Sequence, residues 1–396
     1  MKLFDSRSSF LDNIAAIFFI IASGSTVFYV GHQTLTMVLF AIFGFVYMLK
    51  KRNNPQEVLT GSNLRVFLYL GLWPILNAWV LHNGSGFGST KPLFFGLGSL
   101  LIIASSNFYF FRSLLLRWLQ IILCLSIIVH FGYYYLNFPA NIVQCGEGQR
   151  NISMFLFDIG FAESHRLYSI FWEPGQCQIV IFFVLSLFID ELLDTKRIWS
   201  NIKQFAILAF AIYLTESTTA YFTVIILVAI LAMKSDFTKR HLYILPIMLC
   251  MVAFVGTKIY YSESVQNKFD NYGEAGKSAT VRAMDNLAMI NMITMSPIIG
   301  HGMDTPEYDS LSNKLDNHSA SNGWLNTCAE EGIPYLLVLI LSIFTCLRRF
   351  VSKVPIFWVF IILALSQSGE YALFLPINFL YLFKFGSYNF YKEYLK

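Results

Sequence analysis

The chain has 396 residues, of which 56% are apolar and only 13% are charged, and its formal net charge is +4. A soluble domain averages about 25% charged residues, so this composition excludes a protein that covers its surface with water-facing side chains. Basic residues are spread over many segments rather than clustered, so nothing points to nucleic acid as a partner, and we predict a polytopic membrane protein.

Long apolar runs alternate with polar connections along the chain. A membrane helix needs about 20 apolar residues, because lipid offers the backbone no hydrogen-bond partner. The first run is longer than the apolar part of a cleavable signal peptide, so we interpret it as the first membrane helix. We predict an all-α fold of about twelve transmembrane helices in a single domain, 1–396. The predicted spans are about 10–30, 33–49, 65–82, 93–111, 115–135, 175–193, 202–216, 218–233, 242–260, 333–347, 354–370 and 371–387.

The distribution of basic residues predicts the orientation of these helices. Most of the 28 Lys and Arg residues fall in alternate connections, and such connections face the cytoplasm. Both termini are therefore predicted to be cytoplasmic. Two long connections, about 136–174 and 261–332, then lie outside the cytoplasm. Long ordered loops in a compact protein are usually functional, so we expect the chemistry there.

The first long loop ends in the segment Arg166–Gly175, RLYSIFWEPG. Proline is favoured in the first turn of a helix, so Pro174-Gly175 predicts a helix start with Glu173 beside it. A carboxylate at that position is stabilised by the helix dipole. Tyr168 and Trp172 are typical of residues at a membrane interface. Glu173 is either a functional acid or only the cap of the next helix.

The second long loop contains an arginine on a predicted helix. The spacing of apolar residues predicts a helix from Thr280 to Met295, ended by Ser296-Pro297. Arg282 lies in its first turn. Its alternative role is a local ion pair with Asp285, three residues later. The residues expected to form the apolar stripe of this helix are Val281, Met284, Ala288 and Met295.

His318 and Asn322 follow in the same loop and share one face if their segment is helical. A neutral histidine can take a proton from a sugar hydroxyl, although an isolated loop histidine more often has no such role. His301, between two glycines, is the rival and is interpreted as a turn residue. Glu330 and Glu331, just before a predicted span, are acids, caps or both.

The segment Leu214–Tyr221 places several hydroxyl groups and one acid at a predicted outer turn. Polar clusters at membrane depth usually face a cavity. Hydroxyls that bind the backbone of a tight hairpin explain the same pattern, so both interpretations stay open.

No cofactor is predicted. The sequence has no Walker A, dinucleotide-binding or HExxH motif, and no external pair of carboxylates for a divalent metal. The six cysteines lack metal-ligand spacing. Cys145 and Cys328 both fall in predicted external segments, where they form a disulfide or remain separate thiols.

Four segments, in this order, resemble motifs of the O-antigen polymerase and ligase superfamily (the Wzy-like proteins) of the bacterial envelope. Thr218 and Ala220 stand where the second motif usually has arginine and glycine. Ser321 stands where the fourth usually has a histidine, so His318 is the nearest substitute. The matching segments are Arg166 with Phe171–Gly175, Leu214–Ala220, Arg282 with Ser296–Gly302, and Asn322–Leu325 with Glu331–Ile333.

The resemblance implies a GT-C-like glycosyltransferase at the outer face of the bacterial inner membrane. Its donor is a glycan on undecaprenyl diphosphate, and its acceptor is the non-reducing end of an incoming lipid-linked repeat unit. Arg166 and Arg282 are expected to hold the diphosphate, because guanidinium groups bind phosphate oxygens in a bidentate manner. Membrane lipid and a chain-length-regulating co-polymerase are the other expected partners.

The resemblance also assigns roles to the remaining residues. His318 or Glu173 is expected to deprotonate or orient the acceptor hydroxyl. Asn322, Tyr168 and Trp172 are expected to contact other parts of the substrate. No metal ligand is assigned.

Three alternatives stay open at this point. The first is an O-antigen ligase, which transfers finished glycan to lipid A-core; Ser321 and the WEPG segment favour the polymerase. The second is a flippase for lipid-linked oligosaccharides, but transporters of this size usually show internal repeats, and none is visible. A purely structural scaffold gives the two arginine-bearing loops no role.

Overall fold

The computed structural model describes most of the chain and is mostly helical. The residues that it describes are 9–26, 33–51, 60–84, 86–145, 148–154, 156–160, 165–192, 198–234, 253, 256–257, 278–315, 322–370 and 372–385.

The part of the chain before the first long loop is helical. Its helices are α1 (Phe10–Ile21), α2 (Gln33–Lys51), α3 (Gly61–Ile75), α4 (Lys91–Ala104) and α5 (Phe108–Leu136). A π-helical stretch, Leu76–Leu81, continues α3, and a 3₁₀ turn, Phe87–Thr90, precedes α4. The first predicted span is shorter than expected, because the chain turns after Ile21 and Ser25 pairs with Phe171 of the first long loop.

Helices also dominate the described residues after that loop. They are α6 (Pro174–Ser186), α7 (Ile189–Leu192), α8 (Ile198–Thr215), α9 (Thr218–Lys234), α10 (Ser278–Met295), α11 (Pro306–Lys314), α12 (Gly323–Glu331), α13 (Ile333–Phe350), α14 (Ile356–Ser366) and α15 (Pro376–Phe379).

Several of these helices have the character of membrane spans. Within the described ranges, four helical segments are long and apolar enough to cross a bilayer, and shorter apolar helices accompany them. The four are Gln33–Lys51, Gly61–Leu81, Phe87–Ala104 and Phe108–Leu136. The number twelve stays a prediction. The predicted span 242–260 lies almost entirely outside the described residues, and the predicted span 371–387 contains the short α15 with turns around it.

The first long loop departs from the all-α prediction. It forms a three-stranded antiparallel sheet in the order β1 (Ala140–Cys145), β2 (Gly148–Ser153) and β3 (Phe157–Gly160). The register pairs Ala140 with Ser153 and Cys145 with Gly148. Strand β3 is buried throughout, so the sheet packs onto the helices rather than standing free in solvent.

Helix α6 lies at the centre of the molecule. All of its residues are buried, as expected for a helix that is almost apolar around its whole circumference. It contacts α5, α8, α9, α14 and α15. The first turn of α6 carries the proline and glycine of the WEPG segment, so this segment is held against several helices at once.

Helix α10 confirms the predicted helix. Two residues of its expected apolar stripe, Met284 and Met295, are 49% and 59% exposed. Its buried face combines the charged Asp285 with the apolar Met289 and Met292, each 0% exposed. The helix therefore packs on the protein through a mixed face, and the sequence pattern did not identify Asp285 as part of it.

Candidate functional site

Arg150 of β2 ties the small sheet to the start of α6. Its side chain is only 2% exposed, and its Nη1 atom lies 3.0 Å from Asp158 Oδ2 while Nη2 lies 2.9 Å from Glu173 Oε1. The guanidinium also stacks 3.8 Å from the ring centroid of Trp172. Both acids and the aromatic ring are thus held by one cation. The predicted acid Glu173 is an ion-pair partner of Arg150 in this structure.

The two predicted aromatic residues belong to the same cluster. Tyr168 is 3% exposed, and Arg150 lies 5.5 Å from its ring centroid. The backbone of Trp172 donates to the carbonyl of Gly24 at 3.0 Å. Their substrate role stays a prediction, while their packing around Arg150 is a structural role that the sequence did not indicate.

The hydroxyl-rich turn between α8 and α9 packs directly against Arg166. The Nε atom of Arg166 donates to the Thr215 carbonyl at 3.0 Å, and the next residue, Leu167, donates its amide to the Leu214 carbonyl at 2.8 Å. Glu216, at the tip of the turn, has a φ of 47°, a conformation uncommon outside glycine and typical of strained functional turns. The motif that contains Arg166 and the motif Leu214–Ala220 therefore meet at this turn.

Among the described residues, the outer nitrogens of Arg166 have no hydrogen-bond partner. The Tyr221 hydroxyl interacts electrostatically with the Arg166 guanidinium and also with the Glu216 carboxylate. Among the described residues, Arg166 is thus anchored by its Nε atom at the Thr215 carbonyl.

Arg282 reaches the same turn from α10. A Cβ atom built on Gly369 would lie 2.7 Å from Thr219 Oγ1 and 3.3 Å from Arg282 Nη1, so the hydroxyl, the guanidinium and Gly369 are immediate neighbours. Within the described ranges Arg282 forms no ion pair or hydrogen bond, and the alternative pairing with Asp285 is not observed. The structure therefore brings Arg166 and Arg282 to one hairpin, at Thr215 and Thr219 respectively.

The turn after α14 is a part of the site that the sequence prediction missed. Gly369 borders Arg282, and the next residue, Glu370, packs so closely on Gly175 that a Cβ there would collide with its side chain. Glu370 thus lies beside the WEPG segment. The available signal was the polar stretch Gln367–Glu370 between two apolar runs, which the predicted span 354–370 includes.

The turn that ends α10 is clamped onto the end of α12. The amides of His301 and Gly302 donate to the carbonyls of Ala329 and Glu330 at 3.0 and 2.7 Å, and Ile333 donates to the Pro297 carbonyl at 2.8 Å. Gly300 has a φ of 75° and sits where a Cβ would collide with the Glu330 carbonyl. Glycine is required there, which explains the P-x-x-G-x-G pattern and joins the third motif to the fourth.

The two acids at the end of α12 are buried and face the π-helical part of α3. Glu331 Oε2 accepts from Asn77 Nδ2 at 3.1 Å, and Glu330 Oε1 accepts from Asn326 Nδ2 at 2.9 Å. Complete burial and then the charge of Glu330 raise the pKa of Glu331 to about 8, although the Asn77 hydrogen bond opposes this. The raised pKa favours the protonated form of Glu331 at neutral pH.

His301 is a packed residue rather than a simple loop residue. It is 3% exposed; its Nε2 atom lies 2.9 Å from the Met292 carbonyl and its Nδ1 atom lies 2.9 Å from Glu307 Oε1. His82 lies 2.9 Å from the other oxygen of Glu307. Burial alone would raise the pKa of Glu307, but hydrogen bonds from both histidines lower it. This cluster fastens α11 to the loop after α3.

Asn322 caps α12: its side-chain oxygen accepts from the amides of Trp324 and Leu325 at 3.2 and 3.3 Å. Such a cap stabilises a helix start, and the predicted substrate contact of Asn322 stays a prediction. His318, the predicted base, and Ser321 lie outside the described residues. Cys328 is a buried free thiol, in agreement with the alternative of separate thiols.

Comparison with known proteins identifies one family. Residues 204–340 match the family model Wzy_C, described as O-antigen ligase. The match includes the α8–α9 turn, Arg282 and Asn322, but it begins after Arg166 and ends before Gly369. It supports the superfamily resemblance, and it does not distinguish a polymerase from a ligase. No curated protein and no solved structure matches the chain.

Proposed function

We propose that the protein is a glycan polymerase at the outer face of the bacterial inner membrane. It transfers an undecaprenyl-diphosphate-linked chain onto the non-reducing end of an incoming lipid-linked repeat unit, without a metal ion. The observation that carries this proposal is the meeting of Arg166 and Arg282, from two segments remote in sequence, at one polar turn.

The arginines suit the chemistry of the leaving group. When the sugar–phosphate bond breaks, negative charge develops on the departing diphosphate. Cationic groups fixed beforehand near that charge stabilise the transition state, because they need no reorganisation during the reaction. Arg166 is fixed through Nε at the Thr215 carbonyl, which leaves its two outer nitrogens able to bind phosphate oxygens in a bidentate manner.

The turn and the glycine beside it suit a phosphate-bearing ligand as well. Thr219 offers a hydroxyl next to Arg282, and a hydroxyl can donate to a phosphate oxygen. Gly369 keeps the space between them open, since any larger residue would fill it. The diphosphate is proposed to lie between the two arginines, against this turn.

The acceptor hydroxyl needs a group that orients it or takes its proton. We keep Glu173 and His318 as the two candidates. Glu173 is two residues from Gly175, on which Glu370 packs, and the Glu173 carboxylate is oriented by Arg150. His318 is proposed from the superfamily resemblance alone. Glutamine at Glu173 and alanine at His318 should therefore be compared for transfer activity. The true base is the residue whose loss removes the acidic limb of the pH–rate profile, because a base is inactive when protonated.

The envelope polysaccharide of a deletion strain tests the proposal. A polymerase deletion should abolish the long-chain ladder on a gel and leave single capped repeat units, and the wild-type gene should restore the ladder. A normal ladder in the deletion strain would contradict the proposal. Transfer by the purified protein should continue in EDTA, and loss of activity under chelation would contradict the metal-independent mechanism.

A ligase is the second candidate, because the matching family model is itself described as O-antigen ligase. Both enzymes cleave the same donor bond, so the arginine site serves either. The same gel separates them: a ligase deletion leaves lipid A-core without even a single repeat unit. That pattern would replace the polymerase by the ligase and leave the diphosphate site unchanged.

A further inference from the structure

A cavity of about 220 Å³ lies along the second half of α13. Helix α13 starts at Ile333 beside the α10 turn and runs for 18 residues, about 27 Å at the rise of an α-helix. The cavity reaches its last turn, where Arg349 lies. The cavity thus reaches the opposite end of α13 from the α10 turn, and the glycan-transfer proposal does not use it.

Two cations face this cavity without an acidic counterpart. Arg349 and Lys384 both line it, and no Asp or Glu among the described residues does. Within the described part of the chain, neither side chain forms an ion pair or a hydrogen bond. The two charges are close enough to repel each other. An anion bound between them would relieve that repulsion.

The position of Lys384 is fixed by the start of α3. Asn63 donates to the Lys384 carbonyl at 3.0 Å and accepts from the Lys384 amide at 2.8 Å. Asn63 itself is buried. The backbone that presents the second cation is thus held in place, so the pair of cations is a built feature rather than two long surface side chains that happen to approach each other.

The remaining wall of the cavity changes from apolar to polar towards the cations. Val338, Leu341, Thr345 and Arg349 recur at the spacing of one helix face. From Val338 to Arg349 the helix rises about 16 Å. Leu341 and Thr345 are exposed, so this face opens outward. An elongated amphiphile matches the gradient, with its tail beside Val338 and its charged end at Arg349.

We propose that this cavity binds one anionic phospholipid, with the phosphodiester between Arg349 and Lys384 and an acyl chain along Val338 and Leu341. Ser62 and Thr345 also line the cavity, and their hydroxyls can bind the headgroup. The apolar half of the cavity favours a lipid over a soluble phosphate. Basic residues at a helix end are also the usual partners of anionic lipids at the cytoplasmic face.

Retention of lipid by the purified full-length protein tests the proposal. Native mass spectrometry should compare dioleoyl-phosphatidylglycerol with dioleoyl-phosphatidylcholine on the wild type, on the single variants Arg349→Gln and Lys384→Gln, and on Arg348→Gln. Arg348 is the matched control, because it is the adjacent arginine and does not line the cavity. We expect roughly fivefold weaker phosphatidylglycerol retention for each cation removed, no change with phosphatidylcholine, and no change in Arg348→Gln.

A second variant and a competitor make the outcome decisive. Thr345→Glu adds an acid at an exposed position facing the cations, and it should weaken phosphatidylglycerol retention without affecting folding. Equal retention by the wild type and all three cavity variants would overturn the proposal. Displacement of the lipid by millimolar glycerol phosphate would also overturn it, because the headgroup alone would then be the ligand.

Discussion

The arginines near the start of α6 fall into two kinds. Arg150 is buried and fully engaged: it holds Asp158, Glu173 and the Trp172 ring at once. Arg166 and Arg282 instead leave guanidinium nitrogens without partners among the described residues. Removing a buried, saturated arginine leaves its buried acids without a counter-charge, whereas a fixed but unsaturated arginine can bind an anion. The difference separates residues that build the site from residues that act in it.

The largest expected effect comes from the unsaturated pair. Arg166→Lys or Arg282→Lys keeps the charge but removes the bidentate fork, so each should lower glycan transfer by about a hundredfold or more while protein levels stay normal. The measurement is the polysaccharide ladder of a complemented deletion strain, together with immunodetection of the protein. Arg65→Lys, at an exposed position near the start of α3, is the control. A wild-type ladder in both variants would mean that neither arginine contacts the diphosphate.

Arg150 should behave in the opposite manner. Arg150→Ala leaves the fully buried Asp158 without its cation, which is expected to destabilise the protein by about 3–5 kcal/mol. The loss of stability is measured by heating the purified protein and monitoring the temperature at which it ceases to be monodisperse. Arg65→Ala should unfold at the wild-type temperature. If Arg150→Ala kept wild-type stability and lost only activity, the division between the two kinds of arginine would be wrong.

A smaller effect is expected at the glycine between the site segments. In Gly369→Ala the new methyl group would approach Thr219 Oγ1 to 2.7 Å and Arg282 Nη1 to 3.3 Å, so one of them must move. Misplacement of a binding group by a fraction of an ångström should lower transfer about tenfold or more. Gly256→Ala is the matched control, because nothing in the described residues lies within 4 Å of its Cβ position. Equal activity of the two variants would remove Gly369 from the site.

The smallest expected effect concerns pH. Because the pKa of Glu331 is raised to about 8, the folded state keeps a proton that the unfolded state releases above about pH 4.5. Stability should then fall as pH rises from about 4.5 to 8. Glu331→Gln removes this part of the pH dependence. The unfolding temperature of the variant should exceed that of the wild type by a few degrees at pH 8.5 but not at pH 5. Parallel pH profiles would show that Glu331 is ionised in the folded protein.

The sequence predicted the features that depend on local pattern. The helix carrying Arg282 follows from apolar spacing and a terminating proline, and the membrane character follows from composition; both agree with the structure. The number of spans, the orientation and the roles of His318 and Asn322 stay predictions. The burial of Asp285 beside Met289 and Met292 was missed, because apolar spacing alone places charged residues on the solvent-facing side of a helix.

Long-range contacts could not be predicted. The role of Arg150 depends on the register of a small sheet that places it beside Asp158 and Glu173. Gly369 belongs to the site because α14 packs against α6 and α9. In the chain, Gly369 comes about 150 residues after the α8–α9 turn that it contacts. No local pattern carries that information, although the polar stretch Gln367–Glu370 showed that something interrupts the apolar sequence there.

Direct binding of undecaprenyl diphosphate tests the central claim most directly. The purified wild-type protein and the double variant Arg166→Lys with Arg282→Lys should be titrated with undecaprenyl diphosphate, and Arg65→Lys should serve as the control. The account predicts binding at least about tenfold weaker in the double variant and unchanged in Arg65→Lys. Equal affinity of the double variant and the wild type would contradict the assignment of the diphosphate to these two arginines.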